Sequence, residues 1–117
     1  MFNIEKLVGA AALSAGLTLA AGAATAQDLL SHVIDRGTLR IGVAEGPPYQ
    51  YPDAMTGEYI GLNIDLAREA AEIIGVDLEI VPATWATLIT GLKVDQYDVI
   101  FANLFATPPR AVSVAFT

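Results

Sequence analysis

Downstream of residue 27 the chain alternates between two spacings of apolar residues, one helical and one extended. Asp28 is placed to cap a helix over Leu29–Arg36, whose apolar face is Leu29, Leu30, Val33 and Ile34 and whose stop is Gly37. Thr38–Val43 then reads as a strand, apolar and β-branched at Ile41 and Val43. A second helix opens at Asn63 or Asp65, carries Leu66, Ala70, Ile73 and Ile74 on its inner face, and ends at Gly75. Arg68 and Glu72 are four residues apart and are spaced to pair on its outer face. In Val76–Val81 the apolar Val76, Leu78 and Ile80 alternate with Asp77 and Glu79 ahead of Pro82, the pattern of a strand with one wet side. Thr84 can cap a third helix from Trp85 to Val94 that turns Leu88, Ile89 and Leu92 to the sheet. Val99–Ala102, entered from the polar turn Asp95–Asp98, reads as a fully buried parallel strand, and Val112–Thr117 begins another extended segment. Strand, helix and strand of these lengths make a βαβ unit, so the predicted class is α/β with a mainly parallel sheet flanked by helices.

The first 26 residues follow a different pattern. Leu7–Ala26 is an unbroken run of apolar and small residues, preceded by Lys6 and closed by Ala24-Thr25-Ala26. A basic start, an apolar core and an Ala-x-Ala end are the parts of a secretory signal peptide, with cleavage after Ala26 and a mature chain from Gln27 that leaves the cytoplasm. A retained membrane span is the rival reading; Ala and Gly contribute little burial energy to it, and no basic stop follows.

Composition narrows the chemistry. At 117 residues the chain allows one small domain. It has no cysteine, which excludes disulfides, thiol catalysis and Cys-ligated metal. One histidine, His32, cannot build a metal site alone, and nothing in the sequence implies a cofactor. A formal charge of −7 argues against a nucleic-acid partner, since nothing would offset phosphate repulsion. Asp77 and Glu79 share the outer face of their strand and are not an acid/base pair. The stretch from Thr107 to Arg110 has more to offer. Thr107 can cap a helical turn, Pro108 suits its first position, and Arg110 follows one turn on, a combination suited to holding a carboxylate. On the opposite loop, Glu45-Gly46-Pro47-Pro48-Tyr49-Gln50-Tyr51 leaves the C-terminal end of the first strand, the side on which open α/β sheets bind ligands. Gly46 permits close approach by another group there. Tyr51 belongs to a small hairpin closed by Asp53–Gly57, while Tyr49 and Glu45 are candidates for the ligand, Glu45 for an amine.

Asp98-Val99-Ile100 through Thr107-Pro108-Pro109-Arg110 resembles the first-lobe signature of bacterial periplasmic solute-binding proteins, family 3. The resemblance runs upstream through Leu39–Val43, Pro47-Pro48-Tyr49, Gly61–Ala67 and Trp85–Leu92. It implies the first lobe of a two-lobe, type II periplasmic-binding-protein fold, with residues 27–117 a partial N-terminal lobe truncated before the second. It further implies capture of a carboxylated small solute, an amino acid or related organic acid, for an ABC permease in the inner membrane. Such a protein works without chemical change and as a monomer when full length. The site residues it implies are Trp85 as a flat wall, Ala102 as a backbone contact, Asn103 through its amide, the stretch holding Phe105 and Thr107, and Arg110 on the carboxylate. Two departures fall within the signature. The family usually has Ser or Thr at Phe105, and Glu, Lys or Asp at Pro109. Gly46 stands where an aromatic residue normally precedes the prolines. Rival readings are a periplasmic enzyme of the same fold, dehydratase-like on a carboxylated ring, and the sensing domain of a membrane receptor.

Overall fold

A computed structural model describes residues 28–117, and the expected signal peptide lies outside them. The element order is helix α1 (28–36), β1 (Thr38–Ala44), β2 (Tyr51–Pro52), β3 (Tyr59–Ile60), α2 (Leu62–Ile74), β4 (Asp77–Ala83), α3 (Leu88–Lys93), β5 (Val99–Ile100) and α4 (Pro108–Ala111). β4, β1 and β5 form a parallel sheet in that order, and β2 and β3 form a separate antiparallel hairpin.

β1 lies in the middle because its sequence tolerates burial on both faces. Leu39, Ile41 and Val43 point to one side, where they pack with Val33 of α1 and with Ile64, Ala67 and Ala71 of α2. Gly42 and Ala44 point to the other, where Leu88 and Tyr97 are buried. β4 is an edge strand and keeps Asp77 and Glu79 exposed, as the alternation predicts. Its edge position also explains why the strand continues through Pro82 to Ala83, since a residue without an N–H fits an edge.

Several sequence expectations are corrected. The inner face of α2 is Ile64, Ala67, Ala71 and the half-buried Ile74, whereas Leu66 and Ile73 are exposed. Ala67 and Ala71 let the helix lie close to the sheet, and a pattern scored on large residues overlooks them. The N-cap is Gly61, not Asn63 or Asp65, and with φ 121° and backbone carbonyls of Pro48 and Tyr49 where a Cβ would stand, the position requires glycine. Gly75 ends the helix in the left-handed conformation, as predicted. Arg68 and Glu72 form no ion pair; both are exposed, where a pair contributes little. In α1 only Val33 of the expected apolar face is buried, and Leu29, Leu30 and Ile34 are about half exposed. The third helix is shorter than predicted, because residues 84–87 form a preceding turn in which the Thr84 carbonyl accepts from the N–H groups of Thr87 and Leu88. β5 is a two-residue strand, half-buried rather than fully buried, with β1 as its only sheet neighbour among the described residues. Residues 112 and 113 continue from α4 as a turn, not a strand, with the N–H groups of Ser113 and Val114 bonded to the Arg110 carbonyl.

The turn that enters β5 is polar in sequence but buried in part. Tyr97 is 1% exposed; its hydroxyl donates to the Leu88 carbonyl, and burial raises its pKa. Asp98 ties β5 to β1: it pairs with Arg36 and with Arg40 at 2.7 Å, and it accepts the Arg40 backbone N–H at 2.9 Å. Burial pushes the Asp98 carboxyl up, but the side-chain and backbone bonds from Arg40 and the charges of Arg40 and Arg36 together hold it below its ordinary value. Arg40 also meets the exposed Asp95 at 2.9 Å.

Candidate ligand cleft

Because β1, β4 and β5 run parallel, their C-terminal ends lie on one side of the sheet. β1 and β4 pair in register from Thr38↔Asp77 to Ala44↔Ala83, so they finish level and their outgoing loops start side by side. The loop after β5 joins them. Between the three loops lies an open cleft of about 440 Å³ lined by Gly46, Pro47, Tyr49, Gln50, Trp85, Asn103, Leu104, Phe105 and Arg110.

Each wall has a local cause. The first loop folds back on itself, with Tyr49 and Gln50 donating to the Gly46 carbonyl at 3.0 and 3.1 Å and Gly46 donating to Gln50 at 2.7 Å. Pro47 and Pro48 are joined by a cis peptide bond. Trp85 sits on the turn before α3, and its indole N–H donates to the Glu45 carbonyl at 3.0 Å. This brings the ring over Gly46, where an added Cβ would lie 3.3 Å from Cζ2 of Trp85 and 2.8 Å from Nε2 of Gln50. The close approach expected at Gly46 is made by these two side chains. Trp85 remains 45% exposed and Phe105 80%, so both present apolar surface to the opening.

On the third loop, Thr107 is the N-cap of α4 in extended conformation and Pro108 the first helical residue, as predicted. The cap is made by the Thr107 carbonyl, which accepts from Arg110 and Ala111, and the hydroxyl makes no capping bond. Arg110 is half-buried and donates from Nη1 to the Phe105 carbonyl at 3.0 Å. That bond fixes one edge of the guanidinium and leaves its other donors for a ligand. Arg110 is the one charged residue in the cleft lining, and a carboxylate is the natural partner of its planar fork.

The model for bacterial extracellular solute-binding proteins, family 3, matches residues 39–117. The chain belongs to that family. A probable amino-acid ABC transporter periplasmic-binding protein of Sinorhizobium fredii is 34% identical over 112 residues, which covers 92% of this chain and 36% of that protein. Cyclohexadienyl dehydratase of Pseudomonas aeruginosa is 28% identical over 95 residues, covering 80% of this chain and 35% of the enzyme. Among solved structures, the arginine-bound form of domain 1 from TmArgBP is 37% identical with a TM-score of 0.70, covering 74% of this chain and 68% of that one. The chain therefore has the first-domain architecture of a type II periplasmic binding protein, and it spans about a third of the length of these curated relatives.

In this family-3 chain the structure gathers Arg110, Trp85, Asn103, Phe105 and Tyr49 around one cleft. Ala102, Thr107 and Glu45 are not in its lining. Ala102 packs against the core cluster of Ala44, Leu88 and Tyr97, and its carbonyl accepts from Leu104 at 2.8 Å. Glu45 is exposed and reaches the site through its carbonyl, not its carboxylate. Sequence reasoning missed Gln50 and the role of Asn63. Gln50 is wholly buried; it donates to the Ala44 carbonyl at 3.0 Å and accepts from Asn63 at 2.7 Å. A Gln flanked by two tyrosines in a loop carries no periodic signal of burial. Among the described residues there is no cluster of His, Asp or Glu able to hold a metal, and no helix is long and apolar enough to cross a membrane.

Proposed function

We propose that this chain forms the first lobe of a periplasmic substrate-binding component of an ABC importer. On this reading it captures a carboxylated solute with apolar or aromatic character and passes it on unchanged. The observation that carries the reading is the make-up of the cleft: one guanidinium set among Trp85, Tyr49, Leu104 and Phe105, with no carboxylate in the lining. A ligand carboxylate would meet Arg110, and its body would lie on the indole face. Phe105 replaces the hydroxyl that the family signature leads one to expect, so a polar amino-acid head group finds one partner fewer and an apolar body finds one more. The transporter-associated relative supports the importer role, and the residue 1–26 pattern supports export, with a mature chain starting at Gln27.

The test is a thermal-shift panel of amino acids, keto acids and aromatic acids on wild type, Phe105→Ser and Arg110→Ala. Aromatic or keto acids should give the largest shift on wild type, and Phe105→Ser should move the preference towards polar amino acids. Arg110→Ala should cost about 2 kcal/mol of binding, the scale for stranding a desolvated carboxylate. A polar amino acid giving the strongest wild-type shift, or normal binding by Arg110→Ala, overturns the reading.

The dehydratase relative favours a second reading, an enzyme acting on a carboxylated ring. An enzyme needs an acid or base within reach of the substrate; the lining of this lobe's cleft holds no carboxylate or histidine, and the Tyr49 phenol is the group it offers for that role. Loss of water from a carboxylated cyclohexadiene on incubation with the protein would favour the enzyme.

A further inference from the structure

Asn103 faces the cleft at the end of a hydrogen-bonded chain of three carboxamides, and the polarity of that chain is fixed at its far end. The anchor is the Ala44 carbonyl, the last of β1, which can only accept. Gln50 must therefore turn Nε2 towards it, at 3.0 Å, and Oε1 away. Oε1 in turn can only accept, so Asn63 must offer Nδ2, at 2.7 Å. That nitrogen has a second hydrogen, which goes to Oδ1 of Asn103 at 2.8 Å. With its oxygen engaged, Asn103 keeps its own NH2 for the cleft.

Burial makes the chain directional. Gln50 is 0% exposed, so water cannot replace a misdirected bond at that end, and reversing any one amide would set donor against donor or acceptor against acceptor; Asn103 is itself exposed and takes its orientation from the Asn63 bond. Asn63 is held from its backbone as well, where its N–H donates to the Tyr49 carbonyl at 2.9 Å on the first turn of α2. The three amides thus link the end of β1, the start of α2 and the loop after β5.

We infer that Gln50 and Asn63 are positioning residues that lock Asn103 with its amide N–H groups towards the ligand. The first lobe then meets the solute with donors from both Asn103 and Arg110. Such a pair selects oxygen acceptors and disfavours an ammonium group at that end of the cleft. The inference rests on the carboxylate reading above and adds to it a stated polarity and the residues that set it.

Two probes with the same ring and opposite head groups separate the possibilities: phenylpyruvate, a carboxylate, and phenethylamine, an ammonium. Affinities for both are measured by calorimetry on the full chain for wild type, Asn63→Leu, Asn103→Ala and the double variant. Wild type should prefer phenylpyruvate, and Asn63→Leu should cut that preference about tenfold by freeing Asn103 to turn its oxygen outward, the scale of one directed hydrogen bond. In the Asn103→Ala background the same substitution should change nothing. An equal effect in both backgrounds, or none in either, overturns the positioning role while leaving the carboxylate reading intact. Failure of wild type to bind phenylpyruvate in preference to phenethylamine overturns both. A measurement without variants guards against misfolding: in 15N spectra of wild type, phenylpyruvate should shift the side-chain NH2 of Asn103 more than that of Asn63. The reverse order overturns the inference.

Discussion

The indole nitrogen of Trp85 and the carbonyl oxygen of Glu45 are 3.0 Å apart, a bond that joins the loop after β4 to the loop after β1 across 40 residues of chain. It orients a flat apolar wall by an edge contact, so the face of the ring stays open to the cleft. Since Trp85 is the chain's only tryptophan, its emission should report occupancy directly. Titration with phenylpyruvate should change the emission with the same midpoint that calorimetry gives. Trp85→Phe should weaken binding by a factor of about three and Trp85→Ala by about tenfold or more, in keeping with aromatic contacts worth roughly 1 kcal/mol beyond area. Equal losses in the two variants would mean that the pinned orientation, and not the aromatic face, carries the contact.

Asp98 gives the fold a sign for its pH dependence. Its carboxyl is held below the ordinary value, so its contribution is fully present above the unfolded pKa of about 4 and is lost as pH falls through the lower folded value. Asp98→Asn should reduce stability at pH 7 by about 2 kcal/mol, because it removes the charge that two arginines share. The gap between variant and wild type should narrow in urea melts taken at steps down to pH 3. A gap that stays constant over that range would place the source of acid sensitivity elsewhere.

Gly91 and Tyr97 set two effects of opposite sign against each other. Alanine in place of a helical glycine normally gains about 1 kcal/mol. Here an added Cβ would collide with the hydroxyl and ring of Tyr97, and overpacking a buried site costs about 1–3 kcal/mol. Gly91→Ala should therefore destabilise, and by less in a Tyr97→Phe background, where the nearest atom is gone. Thermal melts of the four proteins in this cycle read the coupling; stabilisation by Gly91→Ala alone would show that the ring yields.

An isolated first lobe should bind, but weakly. The cleft lies on the loops that leave the ends of β1, β4 and β5, and it is open on the side away from them. One lobe leaves a face of the ligand in water, so residues 27–117 alone should hold phenylpyruvate about a hundredfold less tightly than a two-lobe protein containing them. Calorimetry on both measures the ratio, and equal affinities would make a second lobe dispensable.

The large-scale plan was legible in the sequence because it rests on spacing. The β1 and β4 strands, the central helix, the Gly75 stop and the Pro108 start all follow from local pattern and turn chemistry. What escaped was decided by packing between distant residues. Ala67 and Ala71 bury because the helix lies close to the sheet, and Ile73 stays out although it is the larger residue. Tyr97 and Asp98 bury because β1 supplies Gly42 for the ring and Arg40 for the carboxylate, which a reading of the turn alone cannot see. In the cleft, Arg110 and Trp85 were marked by residue type and motif. Gln50 was invisible because its partners, Ala44, Asn63 and through it Asn103, are brought together only by the fold.

The Asp98 clamp grips β1 at Arg40, whereas the carboxamide chain leaves it at Ala44, about 13 Å further along at the usual rise per residue. The ion pairs of Asp98 lie at one end of the sheet and the cleft loops at the other, while the apolar core runs along the whole of β1. Changes to the exposed side chains of the cleft loops thus draw little on the ion pairs that secure β5, and they use up less of the stability margin than changes at Gln50 or Asp98. Such a molecule is a favourable starting point for a redrawn cleft, natural or engineered, because the exposed cleft side chains Tyr49, Trp85 and Phe105 lie apart from the ion pairs at Arg40.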